Sequence, residues 1–299
     1  MDLSVAVPTL NARDHLAGCL DALATNAPDA EVVVVNGPSA DGTTGMVQGR
    51  DDVDVLVELA DRTINAARNA GIERASGDVV AFVHPFRAIE PDWPAAIDAG
   101  LADAAVVTGP THTQLTAGVE TEAVERRTIA GREITYFNAG NVAFRREPLD
   151  ELDGFDEYLE VGGARDVAHR LAALDYAVTW RDEMSVREEV GADGGSGPEW
   201  GPKYRSLAYR LAKNYGLRPT VVRRLVGHAG GDAFEELRRV IRGERRPSRW
   251  LATGRTVTTN LAVGLKDGHG ARRLDRTPRR NPRGRSTRTD RAVEVYDWR

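Results

Sequence analysis

Asn65-Ala-Ala-Arg-Asn-Ala-Gly-Ile-Glu-Arg-Ala-Ser-Gly-Asp-Val-Val-Ala-Phe-Val-His-Pro-Phe86 decides the fold class. Its first half reads as a helix over 63–75, stopped by Ser76-Gly77. Its second half, 78–83, is a continuous apolar run. Such a run has the length and character of a strand buried on both faces of a sheet. The strand empties into His84-Pro85-Phe86, so chemistry-bearing residues stand at its C-terminal end.

The same alternation extends outward. Apolar, Val-rich runs at 3–7, 31–35, 53–59 and 104–108 predict four more strands. Between the first two, Leu16, Leu20 and Leu23 recur at helical spacing, with Asn11 or Asp14 as N-cap. A helix is expected near 94–101. Strand and helix patterns alternate five times over about 110 residues, the rhythm of a doubly wound, parallel α/β sheet.

Beyond residue 110 the rhythm changes. Residues 121–144 are polar and irregular; a helix is expected over 164–174 and a strand over 176–181. Five glycines in residues 191–201 predict a flexible loop. After it, Tyr204, Leu207, Ala208, Leu211, Ala212 and Tyr215 form one helical face, with Lys203, Arg210 and Lys213 outside the stripe. Further helices are expected at 220–227 and 233–243. The last thirty residues hold ten arginines and few apolar residues, and are expected to lack stable structure. The expected organisation is a 1–200 unit (halves 1–110 and 111–200), a basic helical extension over 201–269 and an Arg-rich tail over 270–299.

Composition narrows the function classes. The single cysteine, Cys19, excludes an internal disulfide and fits a reducing compartment. No basic leader precedes the first strand, and no apolar run reaches the roughly 18–20 residues of a membrane span. The net charge of −5 hides a division: residues 201–299 carry 25 Lys and Arg against 9 Asp and Glu, and residues 1–200 carry 15 against 36. A basic C-terminal region on an acidic body suggests an anionic partner such as a membrane surface. Nucleic acid is not expected, because the tail offers few aromatic side chains for base stacking and follows no nucleic-acid module.

Five segments carry candidate chemistry, and in order they resemble family 2 glycosyltransferases of the GT-A fold. Val5-Ala-Val-Pro-Thr-Leu-Asn11 puts Thr9 and Asn11 where ligands bind, at the C-terminal edge of an open parallel sheet. Asn36-Gly-Pro-Ser-Ala-Asp-Gly-Thr43 is similar to the family's segment that reads the donor nucleotide. Asn36 and Gly37 replace two acids there, while Ser39, Asp41, Gly42 and Thr43 match. Arg68 and Asn69 match the family's Ala-Arg-Asn-x-Gly, and an Arg there would offset phosphate charge. The family's strand then ends in Asp-x-Asp, which holds Mn or Mg; here the two positions are His84 and Phe86. Phe cannot bind a metal, and one His is a poor site for a hard cation, so no metal or other cofactor is assigned. Either cationic side chains neutralise the leaving diphosphate, or the chain is catalytically dead.

On the acceptor side, Phe137-Asn-Ala-Gly-Asn-Val-Ala-Phe-Arg-Arg146 resembles the family's Gly-x-Asn-x-x-Phe-Arg segment, which makes Asn138, Gly140 and Asn141 candidate acceptor contacts. Leu152-Asp-Gly-Phe-Asp156 follows, then Val161-Gly-Gly-Ala-Arg-Asp-Val-Ala-His-Arg-Leu171. Inverting transfer needs a carboxylate to take the acceptor proton, and the resemblance nominates Asp166. Its plain structural reading is an acid in the first turn of a helix. Arg187 stands where the family often has a metal-ligating His and is a candidate substitute for the metal's charge; Trp200 could stack on a sugar ring.

The resemblance implies an inverting glycosyltransferase with a nucleotide-sugar donor. Its donor side would be Thr9, Asn11, Asn36, Asp41, Arg68, His84 and Arg187. The basic region adds the expectation of a lipid-linked acceptor and a peripheral place on the inner, cytoplasmic face of the cell membrane. The alternative is a non-catalytic relative that binds a nucleotide sugar or a partner transferase.

Overall fold

The computed structural model describes residues 1–115, 118–189, 199–244 and 246–299. The first half alternates as expected: β1 (Leu3–Thr9), α1 (Arg13–Asn26), β2 (Glu31–Asn36), α2 (Thr43–Gln48), β3 (Val55–Leu59), α3 (Ile64–Arg74), β4 (Val79–Val83), β5 (Arg87–Ile89), α4 (Trp93–Asp103) and β6 (Val106–Thr108). Short strands follow, β7 (Thr111–Leu115), β8 (Gly118–Thr121), β9 (Arg126–Ile129), β10 (Arg132–Thr135) and β11 (Asn141–Arg145), then α5 (Arg146–Glu151), α6 (Gly163–Leu171), β12 (Val178–Trp180) and β13 (Val186–Glu189). Three helices, α7 (Trp200–Tyr215), α8 (Pro219–Ile241) and α9 (Pro247–Leu274), precede a last strand, β14 (Ala292–Asp297).

The central sheet has eight strands in the order β12-β6-β11-β4-β1-β2-β3-β14. The run β4-β1-β2-β3 is parallel, with Thr9 opposite Asn36 and Ala6 opposite Phe82. Strand β11 runs antiparallel between β4 and β6, and β12 is parallel to β6. The apolar runs of β1, β2 and β4 are buried along both faces, which is why they lack alternation. Helix α3 covers one face with Ala67 and Ala70 against Val33, Val35, Val55 and Val57. A smaller sheet, β5-β13-β7-β8, and the β9–β10 hairpin flank the central one.

The C-terminal third departs from expectation. Helix α7 is part of the main core: Ala208, Leu211 and Tyr215 pack with Phe144, Phe155 and Leu171. Lys213, expected outside the stripe, is fully buried because two carboxylates meet it there. The two helices expected at 220–227 and 233–243 are one, α8, whose glycines keep helical backbone. Gly264 and Gly268, one turn apart on α9, let that helix press onto α7. A Cβ at either would lie 2.3 Å from the Arg205 carbonyl oxygen or 2.4 Å from that of Tyr209.

The tail expected to be unstructured is ordered. β14 pairs antiparallel with β3 and closes that edge of the sheet. Arg291 is buried, 2.5 Å from Glu73 and 2.5 Å from Glu157, and Arg288 pairs with Asp61 and Glu157. The tail's charge meets the acidic body of the same chain, an outcome that charge counting along the sequence cannot distinguish from an external partner. Most of the loop expected at 191–201 lies outside the described residues.

Candidate active site

Because β1 and β4 are adjacent and parallel, they deliver Thr9 and His84-Pro85-Phe86 to one edge of the sheet. A crevice of about 200 Å³ opens there, lined by Thr9, Gly37, Asp61, Thr63, His84 and Phe86 among others. Ligands bind at such C-terminal edges in open parallel sheets. The Thr9 hydroxyl is buried with no hydrogen-bond partner, a polar atom facing an incomplete environment. Residues 84–87 make a tight turn, with the Arg87 N–H donating to the His84 carbonyl at 2.9 Å. The His84 N–H donates to the Gly140 carbonyl at 3.1 Å. The Phe86 ring lies 4.3 Å from that of His15 and 5.1 Å from that of His84.

Two guanidinium groups belong to this region without lining the crevice: Arg87, at the end of the turn, lines a neighbouring cavity, and Arg68 is near enough to feel its charge. Arg68, carried by α3, is buried; its Nη1 donates to Asn65 Oδ1 at 3.1 Å and its Nε has no partner. Its guanidinium lies 5.1 Å from the Phe155 ring. Arg87 Nε pairs with Glu188 at 3.1 Å, while its Nη1 is buried and unpartnered. Burial, and then the charge of Arg87, bring Arg68 down to about 10. Gly140 makes room for the arrangement, since a Cβ there would lie 2.7 Å from both Arg87 Nη1 and His84 Cβ. Buried guanidinium nitrogens left without acceptors call for an anion.

The same turn does not fit a divalent metal. An imidazole and a phenyl ring replace a pair of carboxylates, and hard cations need several oxygen ligands. Among the described residues no group of three or more His, Cys, Asp or Glu converges on a point.

The other expected site residues are placed differently. Asn11, Asn36 and Asp41 form a closed network that ties the loop after β1 to the loop after β2. Asn36 is buried, donating to Thr44 Oγ1 at 3.1 Å and accepting from Ser39 Oγ at 2.7 Å. Asn11 takes a left-handed φ of 49° and accepts the Ala40 N–H at 2.8 Å. Asp41 accepts the Arg13 N–H at 2.9 Å and the Thr43 hydroxyl at 2.6 Å. Burial acts to raise the Asp41 carboxyl, but the bonds from Thr43 and Arg13 outweigh it and hold it low. None of these three residues lines the crevice itself; they hold the two loops that flank it, and Asn36 uses one N–H and one lone pair of its amide within the network.

Arg187 lies in a neighbouring cavity with Phe86, Arg87 and His112, paired with Glu90 at 3.1 Å. Asn138 caps the approach to β11, accepting the Gly140 N–H at 3.0 Å and donating to Glu122 at 3.2 Å. Asn141 is fully buried and cannot meet an acceptor. It accepts from Trp93 Nε1 at 2.8 Å and donates to the Met184 carbonyl at 2.7 Å. Trp200 opens α7 and lines an apolar cavity of about 610 Å³ between α7, α8 and α9, away from the crevice residues.

Asp166 is the largest correction. It is 1% exposed, with Arg170 Nε and Lys213 Nζ each at 2.8 Å and Asn214 Nδ2 at 2.9 Å. Burial would raise its carboxyl, but Lys213 and then Arg170 outweigh that and bring it to about 2. A carboxylate so placed holds α6 to α7 and is neither accessible nor basic enough to take a hydroxyl proton. The residue that sequence reasoning passed over is Arg87. Its only signal was a cation one place beyond the altered metal turn.

Residues 4–152 match the family described as glycosyl transferase family 2. The chain belongs to that family. Its match ends in the residue after α5, so it spans the crevice, Arg68 and Arg87 but not Asp166, Arg187 or Trp200. Glycosyltransferase AglE of Haloferax volcanii is 34% identical over 88 residues, 27% of this chain and 29% of that protein. Glycosyltransferase GlyA of Streptococcus pneumoniae is 33% identical over 95 residues, 30% of this chain and 14% of that protein. The chain thus spans under a third of the curated relatives it matches. Among solved structures, the mannosyltransferase PcManGT of Pyrobaculum calidifontis, in complex with GDP-Man and Mn2+, gives a TM-score of 0.56 at 19% identity, covering 89% of this chain and 86% of that one. TarS 1–349 of S. aureus with UDP-GlcNAc gives 0.56 at 16% identity, covering 92% of each chain. These likenesses establish the GT-A glycosyltransferase fold.

Proposed function

We propose that the chain transfers a sugar from a nucleotide-sugar donor to a hydroxyl, with Arg68 and Arg87 taking up the charge of the leaving nucleoside diphosphate. The observation that carries this reading is the pair of buried, partner-lacking guanidinium nitrogens beside the β4 turn. Preorganised cations at a developing negative charge lower the barrier most where water is excluded. Thr9 and His84 would contact the donor in the crevice, and Asn138 and Gly140 border its acceptor side. The donor complexes of PcManGT and TarS support the donor class.

The acceptor is proposed to be lipid-linked, with the enzyme peripheral on the inner face of the cell membrane, in cell-surface glycan or N-glycan assembly. Supporting this, α8 exposes Val226, Phe234 and Ile241 beside Arg223, Arg238 and Arg242, an amphipathic pattern suited to an anionic interface. Among the described residues no helix is long and apolar enough to cross a membrane.

The second reading, a relative that binds nucleotide sugar without transferring it, is favoured by the burial of Asp166. One experiment separates the two: transfer and donor hydrolysis are measured across nucleotide sugars with a membrane lipid extract, with Mn2+ and with chelator, for wild type and Arg87→Gln. Turnover that survives chelator and falls in Arg87→Gln supports transfer without metal. Donor binding with no turnover under any condition supports the second reading. Turnover that requires Mn2+ would sink the role given to the arginines.

A further inference from the structure

A second cationic site lies outside the crevice. A cavity of about 380 Å³ opens where the β9–β10 turn, the end of α7 and the segment after α9 meet. Five arginines line it, Arg132, Arg218, Arg272, Arg276 and Arg280, together with Tyr215. No acidic side chain lines it, and it shares no lining residue with the crevice.

Acidic partners are what these five arginines lack. Other arginines of the chain have them: Arg50 pairs with Asp21 and Asp52, Arg291 with Glu73 and Glu157, Arg285 with Asp150. Among the described residues none of the five cavity arginines forms an ion pair. Asp275, next to Arg276 in sequence, is engaged with Arg279, Thr277 and the Asn281 N–H, and Glu133 and Asp175 line a separate neighbouring cavity.

Helix capping explains part of the cluster. Arg272 Nη1 donates to the carbonyls of Lys213 and Asn214 at 3.0 and 2.9 Å, closing α7. Arg280 Nη1 donates to the Asp275 carbonyl at 2.8 Å, closing α9. Cations are favourable at helix C-termini. Yet each guanidinium has five N–H donors, so capping leaves most of them unspent. It says nothing of Arg218 and Arg276, which make no side-chain hydrogen bond among the described residues. Arg132 stacks 5.8 Å over the Tyr215 ring, which holds its guanidinium in place. Burial, followed by the charges of Arg280, Arg218 and Arg132, lowers Arg272, a sign that the positive charges crowd one another.

We propose that this cavity binds a ligand bearing two or more phosphoryl groups. Planar guanidinium forks pair bidentately with phosphate oxygens, and several of them around one cavity match a polyanion better than a single anion. The volume is within the range of small-ligand sites. The phosphoryl groups could belong to a soluble diphosphate or to a phosphorylated lipid headgroup, two sources with one chemistry.

The test is titration calorimetry with inorganic pyrophosphate, in the Arg68→Gln/Arg87→Gln background so that the proposed donor site contributes least, with orthophosphate and sulfate for comparison. Pyrophosphate should bind more tightly than orthophosphate. Arg218→Gln/Arg276→Gln should weaken it about tenfold or more, as loss of two charge-assisted contacts requires. Arg74→Gln, at the exposed end of α3, should leave it unchanged. A rise in Tm with pyrophosphate, absent in the double variant, gives a second readout. If the double variant does not fold, Arg276→Gln alone, at an exposed position, is read in its place. Vesicles containing phosphatidylinositol bisphosphate against phosphatidylcholine vesicles separate the sources: arginine-dependent pelleting without pyrophosphate binding assigns the headgroup. Equal pyrophosphate binding in wild type and double variant, or no binding of either probe, overturns the proposal.

Discussion

Lys213 Nζ stands 2.8 Å from Asp166 Oδ2, with the two side chains 0% and 1% exposed. The same ammonium lies 2.6 Å from Asp156 Oδ2, so one cation holds two carboxylates inside the seam between α6 and α7. Removing it leaves buried charge uncompensated. Lys213→Met should cost about 3–5 kcal/mol in urea unfolding. A cost under about 1 kcal/mol would show the seam is open to water.

The seam also sets an acid limit on stability. His169 is buried, hydrogen-bonded through Nδ1 to the Tyr215 hydroxyl at 2.8 Å, and burial followed by Arg210 holds it well below 6.5. Its folded state therefore favours the neutral ring, and stability should decline as pH falls below 6.5. Asp166, brought to about 2 from 3.8, contributes stability that is complete above 3.8 and lost towards 2. Urea midpoints from pH 7.5 to 2.5 should show both declines. The first should vanish in His169→Asn and the second shrink in Asp166→Asn.

Arg68 and Arg87 should matter to nucleotide rather than to folding. Arg87→Gln and Arg68→Gln are each expected to weaken UDP or GDP binding about 10- to 100-fold, the loss of a charged hydrogen bond worth about 1.5–3 kcal/mol. Calorimetry checks this. Nucleotide binding unchanged in both variants would remove the arginines from the donor site.

Cys19 is buried on α1, and burial pushes its thiol up to about 12. The native protein should resist iodoacetamide at pH 8 and react with one equivalent once unfolded in urea. Labelling of the native protein on the timescale of a free thiol would contradict the packing of α1.

The tail offers a direct check, because arginines in a disordered segment are cut readily by trypsin. Arg291 is fully buried and Arg285 and Arg288 are ion-paired, so brief digestion should leave 285–291 intact. Arg291→Met should expose those sites and lower Tm, because Glu73 and Glu157 lose their buried partner. Rapid cleavage in the wild type would mean that β14 does not hold the sheet edge.

The sequence by itself determined the sheet and the crevice. Continuous apolar runs in β1, β2 and β4 have the length and character of strands buried on both faces, and Ser76-Gly77 marks where α3 yields to β4. That placed Thr9 and His84 at one edge, and the substitution at 84 and 86 was legible as a lost metal site. Only the tertiary structure decided which charges are used and how. Asp166 read as a candidate base or a first-turn acid and Lys213 as a charge outside the apolar stripe, and the two became a buried pair because α6 packs against α7. Arg87 gained its meaning from Gly140, 53 residues later, whose missing side chain leaves space for its guanidinium. The ten arginines of the tail looked unsatisfied along the chain, and two of them, Arg288 and Arg291, found Asp61, Glu73 and Glu157 only once the fold brought acids from distant segments to them. Periodicity is a local property and survives in sequence; charge pairing is a property of distance in space, which folding alone sets.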